Sequence, residues 1–181
     1  MSSLDPSNPP DPLLILVDEE DREVGFERRS LCHDGEGQLH RAFSIYLRDA
    51  DGRLLLQQRS AEKRLWPEYW SNSCCGHPEK GESIEAAASR RLGEELGVQV
   101  PLELVFKYKY HASFGQEGSE RELCCVFVGR LDSEILRPDP KEVMDWTWID
   151  PVALEEDFAT RQDSTPWFRI AWSTLSGSWT S

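Results

Sequence analysis

Residues Tyr69 to Val98 read YWSNSCCGHPEKGESIEAAASRRLGEELGV. The stretch is a glycine-containing turn that feeds a helix. Ile84, Ala88, Leu92 and Leu96 recur every four residues and form one apolar stripe, the pattern of a helix buried along one side. Gly97 follows the last of them and can stop the helix, because glycine takes the left-handed conformation that helix ends use. Glu95 lies one turn after Arg91 and Glu94 one turn after Arg90, so carboxylates and guanidinium groups share the helix surface. Clustered carboxylates suit Mg²⁺, a hard cation that takes oxygen ligands and shares them with substrate phosphates. A solvated helix laced with salt bridges is the plain alternative.

The spacing separates the two readings. Five residues lie between Gly76 and Glu82 and seven between Glu82 and Arg90, with Glu94, Glu95 and Gly97 following. This order resembles the Nudix box, and six matched positions at fixed spacing favour the metal reading. One position departs. Nudix hydrolases place a Glu directly after the box arginine, where this chain has Arg91. Loss of that carboxylate weakens a multi-Mg²⁺ cluster that activates water, while an added cation helps to hold a diphosphate. The segment Leu65-Trp66-Pro67-Glu68-Tyr69-Trp70-Ser71-Asn72-Ser73-Cys74-Cys75-Gly76-His77-Pro78 resembles the WPxxW(T/S)NSxCGHP signature of the type I isopentenyl-diphosphate Δ-isomerases. With the Glu120/Glu122 pair and Thr165-Pro166-Trp167, the resemblance spans nearly the whole chain. It implies an α+β fold, a Nudix-like mixed β-sheet sandwiched between helices.

Composition bounds the rest. With 181 residues, 39% of them hydrophobic and 10% aromatic, the chain fits one globular domain, expected over residues 13–181. The start, MSSLDPSNPPDP, lacks a basic region and an apolar stretch, so it reads as a flexible arm over residues 1–12 and not as a signal peptide. No apolar run approaches the roughly 18 residues of a membrane span. A net charge of −13 argues against nucleic acid or an anionic membrane as partner. It also opposes an anionic substrate, which then needs metal ions and a local basic cluster; Arg28, Arg29, Arg59, Lys63, Arg64, Arg90 and Arg91 offer one. The five cysteines, Cys32, Cys74, Cys75, Cys124 and Cys125, form no secreted disulfide framework and contain no CxxC zinc spacing. A reducing cytoplasm and a monomer or weak dimer are the expected setting.

Along the chain, Leu13–Val17 reads as a buried strand and residues 24–26 as a second. The loop from Cys32 to His40 has two glycines and no helical period, so His33 and His40 can converge only through tertiary structure. Residues 42–48 and 53–59 flank Asp49-Ala50-Asp51-Gly52, a hairpin signal. Residues 102–112 alternate as a strand, 113–119 read as a polar loop, 120–131 as another strand and 146–149 as a last one. Asp150-Pro151 and Thr165-Pro166 each place a cap before Pro at the first helical position, the second opening a helix with Trp167, Phe168, Ile170 and Trp172.

The resemblance assigns roles. It implies a divalent metal, Mn²⁺ or Zn²⁺ from the donor set, held by His33, His40, His77, Glu120 and Glu122. From the residues alone, Glu120 and Glu122 stand two apart in a strand and share a face, with Cys124, Val126 and Val128 continuing it. Cys75 and Glu122 match the groups that move protons on opposite faces of an alkene, Tyr110 the tyrosine bonded to that glutamate, and Trp167 the cation-facing indole. Cys75 directly precedes the Gly76 turn near His77, where positive charge favours thiolate. The other cysteines read as core fillers, and His111 has no motif role. Glu95 is implied to bind Mg²⁺ bridging a diphosphate, with Arg29, Arg59, Lys63 and Arg91 as phosphate contacts. The expected reaction is interconversion of isopentenyl and dimethylallyl diphosphate, a small-molecule substrate. A Nudix diphosphate hydrolase and a non-catalytic metal-binding domain are the competing readings.

Overall fold

The computed structural model describes residues 11–132 and 135–179. Strand β3 (His40–Arg48) is buried nearly throughout because its side chains alternate between two cores. Phe43, Ile45 and Leu47 point to a cluster under helix α2 (Ile84–Leu96), while Ala42 and Tyr46 join a cluster under α3 (Pro151–Thr160) and α4 (Pro166–Trp179). The sheet is thus sandwiched between helices, as expected.

Strand β3 organises nine strands among the described residues. One edge pairs in parallel with β8 (Gly118–Arg130) along its whole length, from His40↔Glu122 to Arg48↔Arg130. The other edge is divided: β1 (Leu13–Val17) meets it at His40, β6 (Cys74–Gly76) at residues 43–45, and β4 (Leu54–Arg59) only at Arg48↔Leu54. Beyond these lie β2 (Glu23–Arg28) on β1, β5 (Trp70–Ser71) and β9 (Val143–Ile149) on β4, and β7 (Leu102–Phe114) on β8.

The DADG hairpin signal therefore holds only at its tip. Asp49 accepts the N–H groups of Asp51 and Arg53, closing the turn. The ladder that should follow is opened by Ser73, whose hydroxyl accepts from Leu47 N at 2.8 Å and donates to Leu55 O at 2.7 Å. Asn72 Nδ2 takes Ile45 O in the same gap at 3.0 Å. Backbone groups of β3 and β4 that a regular hairpin would pair directly are satisfied by intruding side chains, and β6 enters the space beside β3.

Other elements follow their local chemistry. In α2, Ser83 Oγ accepts from Ala86 N and Gly97 ends the helix at φ 70°. Asp150 caps α3 through Val152 N, and Pro151 opens it. Helix α4 buries Trp167, Phe168, Ala171, Trp172, Leu175 and Trp179, with Ile170 left exposed. Residues 113–119 are not a loop: β7 and β8 pair up to Phe114↔Gly118, leaving a turn of three residues, 115–117. Helical turn α1 (Arg29–Cys32) interrupts the region before the Cys32–His40 loop. The arm expected over residues 1–12 lies outside the described residues except for Asp11 and Pro12; Asp11 accepts from Ser30 and Pro12 O from Arg29 N. No described helix is long and apolar enough to cross a membrane.

Replacing Ser73 with Ala leaves Leu47 N and Leu55 O without partners in a fully buried gap. We expect a loss of about 1–3 kcal/mol or more, the cost of an unsatisfied buried polar group. Urea unfolding followed by circular dichroism measures it, and an unchanged midpoint contradicts the role assigned to the hydroxyl.

Candidate active site

The α4-facing side of the sheet carries a polar end. His40 opens β3 and Glu122 stands opposite it in β8, while Ser44, four residues on, lies opposite Cys75 of β6. His77 follows β6 directly, two residues after Cys75. His33 comes from the loop and is drawn in by the β7–β8 turn, where Ser119 N donates to His33 O at 3.0 Å and Ser119 Oγ to Gly35 O at 2.7 Å. Gly118 makes this approach possible: its φ is 144°, and a Cβ there would lie 2.2 Å from His33 O. Arg64 ties the same segments together, donating to Ser30 O, Asp34 Oδ1 and Glu117 O.

These elements gather the expected metal ligands. Ligand atoms of His33, His40, His77 and Glu120 all lie within 4.8 Å of one another. Glu122 joins them through His77 Nε2, 2.8 Å from its Oε1, and His40 Nε2 at 3.7 Å. His40 Nδ1 donates to Gln38 O at 2.7 Å, which leaves Nε2 as the lone-pair nitrogen facing the cluster. That nitrogen is buried without a hydrogen-bond partner, and so is Glu120 Oε2, although His33 Nδ1 lies 3.0 Å from it. Two orphaned, inward-facing donor atoms among three imidazoles and two carboxylates fit a divalent cation.

The electrostatics of the cluster are uneven. Burial holds His77 down, to about 3, against the pull of Glu122. Burial also opposes charge on His33, but Glu120 and Glu122 outweigh it and raise that imidazole. Burial would raise the Glu122 carboxyl, yet His40 and His77 keep it well below the usual range and so ionised. Tyr110, opposite Glu122 in the β7–β8 ladder, donates its hydroxyl to Glu122 Oε2 at 2.7 Å. Burial and the nearby carboxylates push that phenol well above its ordinary value, so it stays a donor.

At Cys75, burial pushes the thiol up to about 11, and the hydrogen bonds with Ser44 and Asn72 offset this only in part. Cys74 points the opposite way, fully buried under α2 with Phe43 and Leu92. Cys32 and Cys125 are core fillers, whereas Cys124 lies on the site face, with its sulfur 3.4 Å from Ser44 Oγ. His111 sits 3.9 Å from exposed Glu36, outside the cluster.

Aromatic rings roof the site. Trp167 stands edge-on to Trp66 at 5.2 Å and tilted to Tyr110 at 6.1 Å, and Arg59 lies over its ring at 5.3 Å. Trp66 and Glu68 adopt φ 47° and 65°, a left-handed backbone that L-residues rarely hold, in the loop that brings Trp66 inward. Trp70 is half-buried beneath Arg161.

The expected diphosphate contacts fall into three places. Arg91, Lys63 and Glu95 converge on the α2 side around Glu142: Arg91 pairs with Glu95 and, at 3.1 Å, with Glu142, and Lys63 pairs with Glu142. Gln57 lies there too, its Nε2 3.4 Å from Glu95 and its buried Oε1 unpartnered, which fits an oxygen-ligated cation beside Glu95. Arg59 is bound to Trp66 O and Leu65 O next to Trp167. Arg29 is exposed at the start of α1. Gly76 joins the two sides, since a Cβ there would meet Phe43 at 2.8 Å and Arg91 at 3.2 Å, so no side chain fits between β6 and α2.

Sequence reasoning missed Glu142, Asn72 and Ser44. Glu142 sits in an aperiodic segment with no signal. Ser44 left one: a lone small polar residue inside the otherwise apolar and aromatic run Ala42–Leu47, on the side of His40.

Residues 38–168 match the NUDIX domain family. The chain is 44% identical to isopentenyl-diphosphate Delta-isomerase 2 of Photorhabdus laumondii over 88% of this chain and 89% of that protein. It is 46% identical to isopentenyl-diphosphate Delta-isomerase of Nocardia farcinica, covering 84% and 87%. Among solved structures, a Deinococcus radiodurans protein superposes with a TM-score of 0.70 at 25% identity, covering 84% of this chain and 92% of that one. A MutT protein from Methanosarcina mazei shares the fold, with a TM-score of 0.63 at 16% identity over 77% and 94%.

Adding Mn²⁺ or Zn²⁺ to metal-stripped protein is expected to raise the unfolding temperature, by the equivalent of about 2.7 kcal/mol at a hundredfold excess over Kd. His40→Ala should remove the increment. Calorimetry reads both, and a wild-type transition that the ions leave unmoved contradicts the site.

Proposed function

The chain belongs to the NUDIX domain family and, within it, to the isopentenyl-diphosphate Delta-isomerases, and from that premise we propose how its residues move the proton between isopentenyl and dimethylallyl diphosphate. One observation carries the proposal: the sheet register sets Cys75 and Glu122 on a single face, on strands either side of β3, beneath the Trp167 roof. His77, which binds the Glu122 carboxylate, lies two residues from Cys75, and this brings the thiol and the carboxylate to neighbouring places on that face.

The two groups are shifted in opposite directions. Burial raises the Cys75 thiol while His40 and His77 lower the Glu122 carboxyl, which supports Cys75 as the acid and Glu122 as the base. The Cys75 S–H proton goes to the terminal alkene carbon of isopentenyl diphosphate, and the π pair forms the new C–H bond. A tertiary cation remains at the neighbouring carbon. Glu122 then takes a proton from the carbon on the diphosphate side, and that C–H pair closes the new double bond. The thiolate and the carboxylic acid reset by exchange with solvent, so product formed in D₂O gains deuterium.

The surroundings suit a cation that water would destroy. Trp167 is 3% exposed, and its ring supplies an electron-rich surface worth on the order of 2 kcal/mol or more when desolvated. Tyr110 keeps Glu122 aimed and donates to it. A divalent ion held by His33, His40, His77, Glu120 and Glu122, Mn²⁺ or Zn²⁺ by its donors, supplies fixed positive charge beside that carboxylate when bound. Glu95 would hold Mg²⁺ at the diphosphate, with Arg91 and Lys63 as its cationic neighbours and Arg59, beside Trp167, and Arg29 as further phosphate contacts. Arg91 also disfavours the hydrolase reading, because it neutralises Glu95 where hydrolases place another acid.

Cys75→Ala and Glu122→Gln should each lower turnover by roughly 10² to 10⁴, the contribution of a positioned acid or base, with the fold intact. Cys74→Ala should stay near wild type, since its sulfur lies on the opposite face. Product formation by the purified variants tests this; near-native turnover in either of the first two, or an inactive Cys74 variant beside an active Cys75 variant, sinks the assignment.

A further inference from the structure

Beneath the site runs a buried hydrogen-bond chain that the mechanism above does not use. Trp167 Nε1 donates to Ser71 Oγ at 3.1 Å. Ser71 Oγ donates to Asn72 Oδ1 at 3.1 Å, and Cys75 Sγ donates to the same oxygen at 3.2 Å. Thr165 Oγ1, in the turn that opens α4, lies 2.9 Å from Ser71 Oγ. Ser71, Asn72 and Thr165 are each fully buried, with 0% exposure, so no water can substitute for a missing member without a cavity.

The directions of these bonds are fixed by counting protons. Both N–H groups of the Asn72 amide are taken, one by Ile45 O at 3.0 Å and one by Cys74 O at 2.9 Å, so its oxygen must face Cys75. Ser71 has one hydroxyl proton. If it goes to Asn72, Ser71 receives Trp167 N–H and Thr165 O–H on its two lone pairs, and every atom in the chain is satisfied. The only continuous hydrogen-bonded route among these residues from the indole to the thiol passes through Ser71 and Asn72.

We propose that Ser71 is a positioning residue for the isomerisation: through Asn72 it sets the Cys75 thiol and the Trp167 indole as one rigid unit. The proposal rests on the isomerase reading. It explains why two groups that meet the same alkene come from distant segments, β6 and α4, and yet keep a fixed relation. It also separates this position from the anchors of the diphosphate contacts, because Arg91, Lys63 and Glu95 bond elsewhere, around Glu142 and Gln57, and Arg59, though stacked on Trp167, is held by Leu65 O and Trp66 O and not by Ser71. Loss of Ser71 Oγ should therefore damage the chemical step and spare substrate affinity.

The test is steady-state kinetics on isopentenyl diphosphate with metal-replete wild type, Ser71→Ala and Ser71→Thr. We expect Ser71→Ala to lower kcat at least tenfold with KM within twofold of wild type, and Ser71→Thr, which keeps the hydroxyl, to restore kcat to within threefold. If the alanine variant does not fold, Ser71→Cys, close in size but weak as an acceptor, should give the same split. A kcat within twofold of wild type for the alanine or cysteine variant overturns the proposal, as does a loss that appears in KM. Failure of the threonine variant to recover, with its fold intact, also overturns it. A wild-type enzyme that turns over no isopentenyl diphosphate overturns the isomerase reading itself, a result distinct from these.

Discussion

The architecture depends on the interruption of one hairpin. Strand β3 cannot pair along its length with β4, because the side chains of Asn72 and Ser73 occupy the gap and take the backbone groups of Ile45, Leu47 and Leu55. That wedge frees the middle of β3 to pair with β6. Cys75 consequently lands on the same face as His40 and Glu122. A regular hairpin would place β4 there and leave the thiol without a strand to hold it. The residues that look like a catalytic motif in the sequence are thus partly a structural device, with Ser73 opening the sheet and Cys75 using the opening.

The same strand separates two chemistries. On the α4 side lie the imidazoles, the thiol, the carboxylates of Glu120 and Glu122 and the aromatic roof. On the α2 side lie Arg91, Lys63, Glu95 and Glu142, neutralised among themselves. Gly76 is the point of contact, with Cys75 before it on one side and Arg91 against its backbone on the other. A substrate with an apolar tail and a diphosphate head matches this division. The net charge of −13 does not defeat it, because a Debye length of about 8 Å at physiological salt screens the remote carboxylates while the Arg91 and Lys63 cations act at contact distance.

Much of this was legible in the sequence because it is written in local chemistry. The helix over Ile84–Leu96, its Ser83 and Gly97 ends, the Asp150-Pro151 start of α3 and the shared face of Glu120 and Glu122 all follow from periodicity and capping. What escaped was non-local. The DADG signal correctly gives a turn but cannot reveal that Ser73, some twenty residues on, enters the ladder behind it. The polar residues 113–119 read as a loop because cross-strand pairing, not composition, extends β7 to Phe114. Glu142 has no pattern and matters only because folding brings it to Arg91 and Lys63. The setting of Cys75 is likewise non-local, because burial and the hydrogen bonds with Ser44 and Asn72 that act on its thiol come from three separate segments.

The central claim is that this face moves a proton on carbon and leaves the diphosphate intact. The direct test is proton and phosphorus NMR of isopentenyl diphosphate incubated with the metal-replete protein in D₂O. The account predicts dimethylallyl diphosphate carrying deuterium, with the two phosphorus signals of an intact diphosphate. Release of inorganic phosphate or of an isoprenyl monophosphate, without alkene migration, would contradict it and return the site to hydrolysis.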